Sequence, residues 1–391
     1  MNVERVTHNE LEKMFDGYYD TKEPVFLHGN TGTGKSQSVE AFAKRMAEEQ
    51  SREYVDWSKL SKPKKKEIIA DPSDYFCFVD VRMAEVEPSD LRGLPDFVTD
   101  GEEDATYVDW MPPLWVAAIT TEDAAGIIFL DEANLAPQMI QSVLYKLTLD
   151  RKISQRPLAE DAYVLGAGNI TGEDQGHFHD MAGPLRNRFL HLRLKKPEGG
   201  PEGSWTQWAT DNGIDPRIVG FIGSDVGREY LYTFTEENND AMAFATPRSW
   251  EKVSNLISSV DDSELLQKYV GSCVGPAVAA KFNTFLDHRN AFDVQKYLNE
   301  PSEAAEIDDA SFDQSHAALS ALAGAYDRGE ASIQDMVDIS AEIKTEFAAY
   351  LLMLCKQYAD DEDEFSEDVK EALNNGHNPP DFSDILRVVA S

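Results

Sequence analysis

The chain has 391 residues, of which 42% are hydrophobic, and its 71 acidic and 36 basic residues give a formal net charge of −35. This length predicts two or three domains, because one hydrophobic core rarely grows beyond about 250–300 residues. The negative charge argues against a chain that wraps nucleic acid, since phosphate backbones are bound by basic surfaces. It is typical of a heavily solvated surface, with a cationic protein partner as the alternative.

Neither a membrane span nor secretion is predicted. No stretch approaches the roughly 20 apolar residues that a membrane-spanning helix requires, and the first residues lack the apolar core of a signal peptide. Cys77, Cys273 and Cys355 are far apart and form no CxxC pair. This pattern favours free thiols in a reducing cytoplasm, or in the cytoplasm of a host if a virus encodes the chain.

A phosphate-binding loop is the first clear motif. After a predicted amphipathic helix within residues 1–23, a strand at 24–28 leads into the sequence GNTGTGKS and a helix. The sequence fits GxxxxGK[ST], in which glycines let backbone N–H groups surround phosphates at a helix N-terminus. In this motif Lys35 reaches the β- and γ-phosphates, and Ser36 binds Mg²⁺. The pattern predicts a nucleoside triphosphate and does not name the base.

Two insertions follow the loop. Residues 51–73 contain a run of lysines, which predicts a solvated helix face, with a partner-docking patch as the alternative. Residues 84–115 alternate proline, glycine and acidic residues with Phe97, Tyr107 and Trp110. These aromatic side chains either contact a protein client or pack locally, and the sequence leaves both possibilities open.

The sequence GIIFLDE at Gly126–Glu132 predicts a central strand that ends in two acids. An unbroken apolar run is typical of a parallel strand buried on both faces, and ligands of such sheets bind at the carboxyl ends of the strands. Asp131 and Glu132 are therefore expected beside the phosphate loop. Asp131 suits the Mg²⁺ shell, and Glu132 suits a base that polarises the attacking water. The two acids together favour hydrolysis over binding alone.

The alternation of strands and helices predicts an α/β layered fold with a five-stranded parallel sheet. Its strands are expected at residues 24–28, 75–81, 126–130, 162–168 and 189–194. After a glycine-rich linker at 199–203, the remaining sequence predicts helices only.

Five segments resemble the MoxR branch of AAA+ ATPases and occur along the chain in the same order as in that family. The branch is related to the CbbQ and NorQ activases, to the midasin and dynein rings and to phage-encoded ATPases. The segment FLDEANLAPQMIQSVLYKLTLDRKI, Phe129–Ile153, is similar to the Walker B region of that family. The other matching segments are VDVRMAEVEPSDLRGLPDF after the second strand, YVLGAGN at sensor 1, GPLRNRF at the arginine finger and ATPRSWEKVS at sensor 2. The resemblance covers roughly residues 25–287.

The resemblance implies roles for four further residues. Asn169 matches sensor 1 and would orient the lytic water between the phosphate and Glu132. Arg188 fits the finger position best, and Arg186 shares that role or holds an intersubunit salt bridge. A finger arginine of this kind completes the site of the neighbouring subunit. Arg248, after a Thr-Pro pair that starts a helix, matches the sensor-2 arginine of the lid.

The expected site residues therefore form three groups. The catalytic residues are Glu132, Asn169, Arg186 and Arg188. The cofactor-binding residues are Gly29, Asn30, Thr31, Gly32, Thr33, Gly34, Lys35, Ser36, Gln37, Asp131 and Arg248. The Mg²⁺ ligands are Ser36 and Asp131.

The resemblance implies a ring-forming ATPase, expected to be a hexamer, that uses ATP and Mg²⁺ to remodel, activate or mature a protein client. In that family the client often carries a von Willebrand A domain. The expected domains are an AAA+ α/β module at 1–198, a helical lid at 199–288 and a helical C-terminal extension at 289–391.

Three alternatives share the phosphate loop. A nucleic-acid-directed AAA+ motor or loader has the same ATPase site, although the charge balance counts against it. A GTPase subunit of a restriction-type complex is the second, although its nucleotide signature is not found in the sequence. The third is a ring that binds nucleotide only to hold its shape, and Asp131 and Glu132 count against it.

Overall fold

The computed structural model describes residues 3–99, 106–169, 181–200, 203–235, 242–257, 260, 263–359 and 362–375. The chain divides between Lys196 and Pro197 into two compact units. The first unit contains the sheet and the second is helical. Within the described residues, no helix is both long enough and apolar enough to span a bilayer.

A parallel sheet of seven strands forms the centre of the first unit. Its strands are β1 (Glu4–Val6), β2 (Val25–His28), β3 (Glu53–Asp56), β4 (Tyr75–Arg82), β7 (Ala125–Asp131), β10 (Asp161–Gly168) and β11 (Leu190–Leu194). They lie side by side in the order β1-β11-β2-β10-β7-β4-β3. The strand that leads into the phosphate loop therefore lies between β11 and β10, near the middle of the sheet.

Two antiparallel ribbons form separate sheets. One pairs β5 (Leu94–Thr99) with β6 (Thr106–Met111), and the other pairs β8 (Lys152–Ile153) with β9 (Arg156–Pro157). The β5–β6 ribbon lies in the predicted insertion at 84–115, and its Trp110 is exposed. The side chains of Phe97 and Tyr107 lie outside the described part of the chain.

The predicted fold class, an α/β module built on a parallel sheet and followed by a helical region, is confirmed. All five predicted strands are present, each within one residue of its expected bounds. The prediction of five strands is nevertheless wrong, because β1 and β3 extend the sheet at its two edges. These strands have three and four residues, too few for a periodic pattern in the sequence.

Helices cover both faces of the sheet. The helices of the first unit are α1 (His8–Thr21), α2 (Lys35–Glu49), α3 (Lys62–Ala70), α4 (Pro88–Arg92), α5 (Leu114–Thr120), α6 (Gln138–Leu149) and α7 (Gly183–Arg186). One apolar cluster joins α1 and α2 to the sheet, and a second joins α3, α5 and α6 to its other face. Burial on both faces explains why β7 is apolar throughout.

The second unit is a bundle of helices around one apolar cluster. Its α-helices are α8 (Ser204–Asp211), α9 (Pro216–Gly223), α10 (Pro247–Ile257), α11 (Ser263–Val274), α12 (Pro276–Ala291), α13 (Val294–Asn299), α14 (Glu306–Asp309), α15 (Phe312–Asp327), α16 (Ile333–Glu342), α17 (Thr345–Lys356) and α18 (Glu362–Asn375). The cluster runs from Trp205 to Leu373 and takes residues from both predicted helical segments. The boundary between a lid and an extension at residue 288 stays a prediction.

Candidate functional site

The phosphate loop connects β2 to α2 at the carboxyl edge of the sheet. Gly32 and Gly34 have φ values of 76° and 87°, in the left-handed region that glycine enters without a steric penalty. A Cβ atom on Gly29 would lie 2.8 Å from Thr33 Oγ1. Because α2 begins at Lys35, the loop ends at the N-terminus of a helix. Unpaired N–H groups and the helix dipole favour an anion there.

Lys35 is buried and joins the loop to the end of a neighbouring strand. Its Nζ atom donates to the Gly29 carbonyl at 2.7 Å, to the Asn30 carbonyl at 3.0 Å and to Asn169 Oδ1 at 3.1 Å. Asn169 directly follows β10, the strand beside β2. The structure thus brings together two predicted site residues that are 134 positions apart in the sequence.

Asn169 is held on two further sides. Its Nδ2 atom donates to Thr31 Oγ1 at 3.4 Å, and its carbonyl accepts from Asn134 Nδ2 at 3.4 Å. A Cβ atom on Gly168 would lie 2.1 Å from Asn134 Oδ1, so this strand end requires glycine. Asn134 was not predicted as a site residue from the sequence. Its position two residues after Glu132, in the sequence DEAN, is the feature that could have indicated it.

The two predicted acids lie at the end of β7, between the ends of β10 and β4. Asp131 Oδ1 accepts a hydrogen bond from the Glu132 N–H at 2.9 Å. Glu132 has φ 53° and ψ 35°, a left-handed conformation that costs a residue with a Cβ roughly 1–2 kcal/mol. Non-glycine residues held in this region are concentrated at active sites. The turn redirects the chain at Glu132 into the short 3₁₀ helix Ala133–Leu135.

Asp80 adds a carboxylate that sequence analysis missed. It lies on β4, two residues before Arg82, which is in register with Asp131. Residues two apart on a strand share a face, so Asp80 and Asp131 lie on the same side of the sheet. Although one side of Asp80 is open to solvent, partial desolvation and the Asp131 carboxylate raise its pKa to about 6. Negative charge is therefore concentrated where these strands end.

The residues at this edge fit a magnesium ion. Mg²⁺ in nucleotide sites takes one or two protein oxygen ligands, and phosphate oxygens and water supply the others. The Asp131 carboxylate and the Ser36 hydroxyl are ligands of this kind, at the end of β7 and in the first turn of α2. Within the described residues, no group of three or more His, Cys, Asp or Glu side chains forms a metal site independent of a nucleotide.

A basic pocket of about 200 Å³ lies beside the loop residues Asn30 and Thr33. The other residues that line it are Arg5, Arg193, Leu194, Lys195 and Lys196. His8 packs against the same part of the loop, since its Nε2 atom lies 2.9 Å from the Thr33 carbonyl. Four basic side chains around one pocket, in a chain of net charge −35, suit an anionic ligand that extends from the loop.

Arg188 lies near the amino ends of the strands, whereas the phosphate loop lies at their carboxyl ends. The Leu190 N–H donates to the Pro24 carbonyl at 2.9 Å, so the residues just before β11 lie at the start of β2. The Arg188 guanidinium covers the Tyr145 ring at 4.8 Å from its centroid and donates to the Tyr145 carbonyl at 3.4 Å. The four residues of β2 span about 13 Å. Arg188 is thus remote from the loop of its own chain.

Arg186 is exposed at the end of α7, and its carbonyl accepts from His191, which is bonded in turn to His28. His191 Nε2 lies 2.7 Å from that carbonyl, and His191 Nδ1 lies 2.9 Å from His28 Nε2. Because a carbonyl only accepts, His191 donates from Nε2, and its neutral Nδ1 accepts from the N–H of His28. His28 is the last residue of β2, directly before the phosphate loop. No motif in the sequence indicated this pair.

The pair makes the stability of the chain depend on pH. Burial is the main cause that lowers the pKa of His28 from 6.5 to about 4, and its neighbours His191, Lys35 and Arg193 lower it further. Between these two pKa values the unfolded chain binds a proton that the folded chain does not. The contribution of His28 to the free energy of unfolding is therefore complete above pH 6.5 and is lost as the pH decreases below it. Between pH 7 and pH 5, we expect the free energy of unfolding to fall by about 2 kcal/mol more in the wild type than in His28→Gln.

Urea unfolding at the two pH values measures this difference. His288→Gln is the matched control, because His288 is exposed on α12 and should leave the pH dependence of the wild type unchanged. Equal losses of stability in the wild type and in His28→Gln would contradict the assigned protonation state.

Arg248 belongs to the second unit. It is exposed in the first turn of α10, whose start is capped by reciprocal hydrogen bonds between Thr246 and Ser249. Its relation to the phosphate loop stays a prediction. Residues 170–180, between Asn169 and the arginine segment, lie outside the described residues.

No family model and no curated protein matches the chain. It is similar to NtrX from Brucella abortus in complex with ADP, at 12% identity and a TM-score of 0.35 over 98% of this chain and 68% of NtrX. It is also similar to the RuvB Holliday junction branch migration motor of Thermotoga maritima, at 13% identity and a TM-score of 0.31 over 75% of each chain. Identities and TM-scores this low do not indicate a function, which is therefore inferred from the residues of the chain itself.

Proposed function

We propose that the chain is a Mg²⁺-dependent ATPase of the AAA+ class that hydrolyses ATP as a homo-oligomeric ring and uses the energy to remodel a protein client. One observation carries the ATPase assignment. The Lys35 ammonium is shared between two carbonyls of the phosphate loop and Asn169 Oδ1. A loop lysine, a strand-end amide and the adjacent acidic strand end form one site at the carboxyl edge of a parallel sheet, where such sheets bind ligands.

The residues divide the chemistry among them. The backbone of the phosphate loop and Lys35 bind the phosphates. Hydrogen bonds from the Lys35 ammonium to charged phosphate oxygens are stronger than those it makes to neutral carbonyls. Ser36 and Asp131 would hold Mg²⁺, which supplies positive charge to the β- and γ-phosphate oxygens. Glu132 accepts a proton from the attacking water, and the amide of Asn169 orients that water.

The position of the arginines supports assembly. Arg188 lies at the amino edge of β2, while the phosphate loop lies at its carboxyl edge. An arginine that stabilises the transition state must contact the γ-phosphate, and this one is remote from the loop of its own chain. Arg188, with Arg186 beside it, would therefore complete the site of a second copy of the chain. A ring gives every site such a donor, and six members is the number that the family resemblance implies.

The protein client and the MoxR branch rest on the resemblance of the sequence segments. One structural feature supports a protein client. The β5–β6 ribbon exposes apolar side chains, with Val108 51%, Trp110 39% and Met111 59% exposed. Such side chains in a solvated ribbon suit contact with another polypeptide. A von Willebrand A domain protein is the client that the family implies.

Turnover and assembly, measured together, test this proposal. With ATP and Mg²⁺, we expect phosphate release per chain to rise with protein concentration over the range in which light scattering shows a ring, because assembly completes each site. Full turnover by a monomer would contradict the ring. No turnover at any concentration would favour the ring that binds nucleotide only to hold its shape. Faster hydrolysis of GTP, or stimulation by DNA or RNA, would favour the restriction-type GTPase or the nucleic-acid motor.

A further inference from the structure

Two side-chain bridges attach the arginine segment, residues 183–189, to the nucleotide site of its own chain. The first runs from His28 through His191 to the Arg186 carbonyl. The second is Gln141, which is 1% exposed. Its Nε2 atom donates to the Ala136 carbonyl at 3.0 Å, and its Oε1 atom accepts from the Ala182 N–H at 2.9 Å. Ala136 directly follows the 3₁₀ turn after Glu132, so both ends of α7 are fixed from the site.

Ring contacts accompany the hydrogen bonds of the histidine bridge. The two imidazole rings lie with their centroids 5.1 Å apart, and the Phe26 ring centroid lies 4.7 Å from that of His28 and 5.8 Å from that of His191. Hydrogen bonds at both ring nitrogens of His191 fix the direction of its ring. A planar side chain that is packed against a neighbouring ring and bonded at both nitrogens has little freedom to change its rotamer.

The two ends of this bridge matter for different sites. His28 directly precedes Gly29, whose carbonyl accepts from Lys35, so one end of the bridge is attached to the phosphate loop of its own chain. The other end is attached to the segment that carries Arg186 and Arg188. Under the proposed function, these arginines serve the next chain in the ring. Two hydrogen bonds thus connect the residue that precedes the phosphate loop to the arginine segment.

We propose that His28 and His191 are positioning residues that link the phosphate loop of one chain to the arginines that complete the site of its neighbour. The proposal rests on the proposed function, since it requires a finger that acts in the next chain. It assigns no contact between these histidines and the nucleotide. Their effect is to set where Arg186 and Arg188 lie when the donor chain is loaded.

A complementation assay tests the link. The receiver chain carries Arg186→Ala and Arg188→Ala, so its own site is intact but it donates no arginine. The donor chain carries Glu132→Gln, so it donates arginines but does not hydrolyse. Each chain alone should be inactive, and the mixture should regain turnover. His191→Phe, which keeps a planar aromatic ring and loses both hydrogen bonds, is then placed in one chain at a time.

In the donor, His191→Phe should lower turnover of the mixture by about 10–100-fold, because small misplacements of a catalytic group cost rates of this order. In the receiver, the same change should alter turnover by less than about twofold, since that chain donates no arginine. His288→Asn in the donor is the control and should have no effect. Nucleotide binding and the mass of the ring should match the parent chains for every variant.

Two further substitutions of His191 each remove one of its two hydrogen bonds. The Asn side chain in His191→Asn can still accept from His28 but is too short to reach the Arg186 carbonyl. The Gln side chain in His191→Gln can still donate to Arg186 but has no acceptor at the δ position, where His191 bonds to His28. Each in the donor should reduce turnover, because the link requires both bonds.

The outcomes distinguish this inference from the proposed function. An inactive mixture of unmodified donor and receiver overturns the ring with donated arginines, and with it the inference. An active mixture that is unaffected by His191→Phe in the donor overturns the inference alone. An equal loss from His191→Phe in either chain also overturns it, since His191 would then support the phosphate loop of its own chain. Full turnover with His191→Gln in the donor would show that His28 is not needed.

Discussion

Replacing Arg186 and Arg188 together with alanine is expected to lower ATP turnover by about 10³-fold or more, which is the contribution of a finger arginine to phosphoryl transfer. Neither residue needs to contact the nucleotide of its own chain for this result. Arg188 lies on Tyr145 at the amino edge of β2, and Arg186 is exposed at the end of α7. The loss should therefore appear in turnover, while nucleotide affinity of the isolated chain is retained. Phosphate release and binding of a fluorescent ATP analogue measure the two quantities.

The single variants separate the two arginines. Arg188→Ala should cause most of the loss if Arg188 is the finger, and Arg186→Ala should then weaken ring assembly instead. Arg193→Ala is a poor control because Arg193 lines the basic pocket beside the loop. Arg156→Ala is a better one, since Arg156 is exposed on the β8–β9 ribbon. Turnover that is unchanged in the double variant would contradict an intersubunit site.

Glu132→Gln is expected to reduce turnover by about 10²–10⁴-fold and to preserve ATP binding, because it removes a general base and keeps the shape of the side chain. The left-handed backbone at Glu132 is unaffected by this change, since glutamine meets the same steric limits as glutamate. The ring should accumulate bound ATP without releasing phosphate. Glu122→Gln, an exposed position just before β7, is the matched control and should turn over ATP like the wild type.

A different pattern would identify a different role. If Glu132→Gln also abolished ATP binding, the carboxylate would belong to the binding site and not to the attacking water. If it left turnover unchanged, Asp80 would become the alternative base, because its pKa of about 6 lies closer to the working pH than that of an ordinary carboxyl group.

The sequence predicted the parts of the molecule that are governed by local pattern. The central strand β7 was found from a continuous apolar run, because a strand buried on both faces has no polar alternation. The phosphate loop and the acidic end of β7 were recognised because the relevant atoms come from neighbouring residues. The hydrogen bond between Lys35 and Asn169 was not predicted, and the position of β2 beside β10 accounts for it.

The missed features depend on strand pairing instead. β1 and β3 are recognised only from the strands that they join, since three or four residues carry no periodic signal. His28 and His191 are 163 positions apart and meet because β2 and β11 are adjacent. Asp80 follows apolar residues of β4 that predict a strand but do not indicate that Asp131 lies two positions along on the neighbouring strand. Such pairs follow from the order of strands, which one sequence does not specify.

The three acceptors around Lys35 have a consequence for ligand entry. Under the proposed function, the terminal phosphate of a bound nucleotide would compete with Asn169 Oδ1 for the Lys35 ammonium. A charged phosphate oxygen is the stronger acceptor of the two. Exchange of the lysine from the amide to the phosphate would leave Asn169 Oδ1 open to another donor, such as a water molecule.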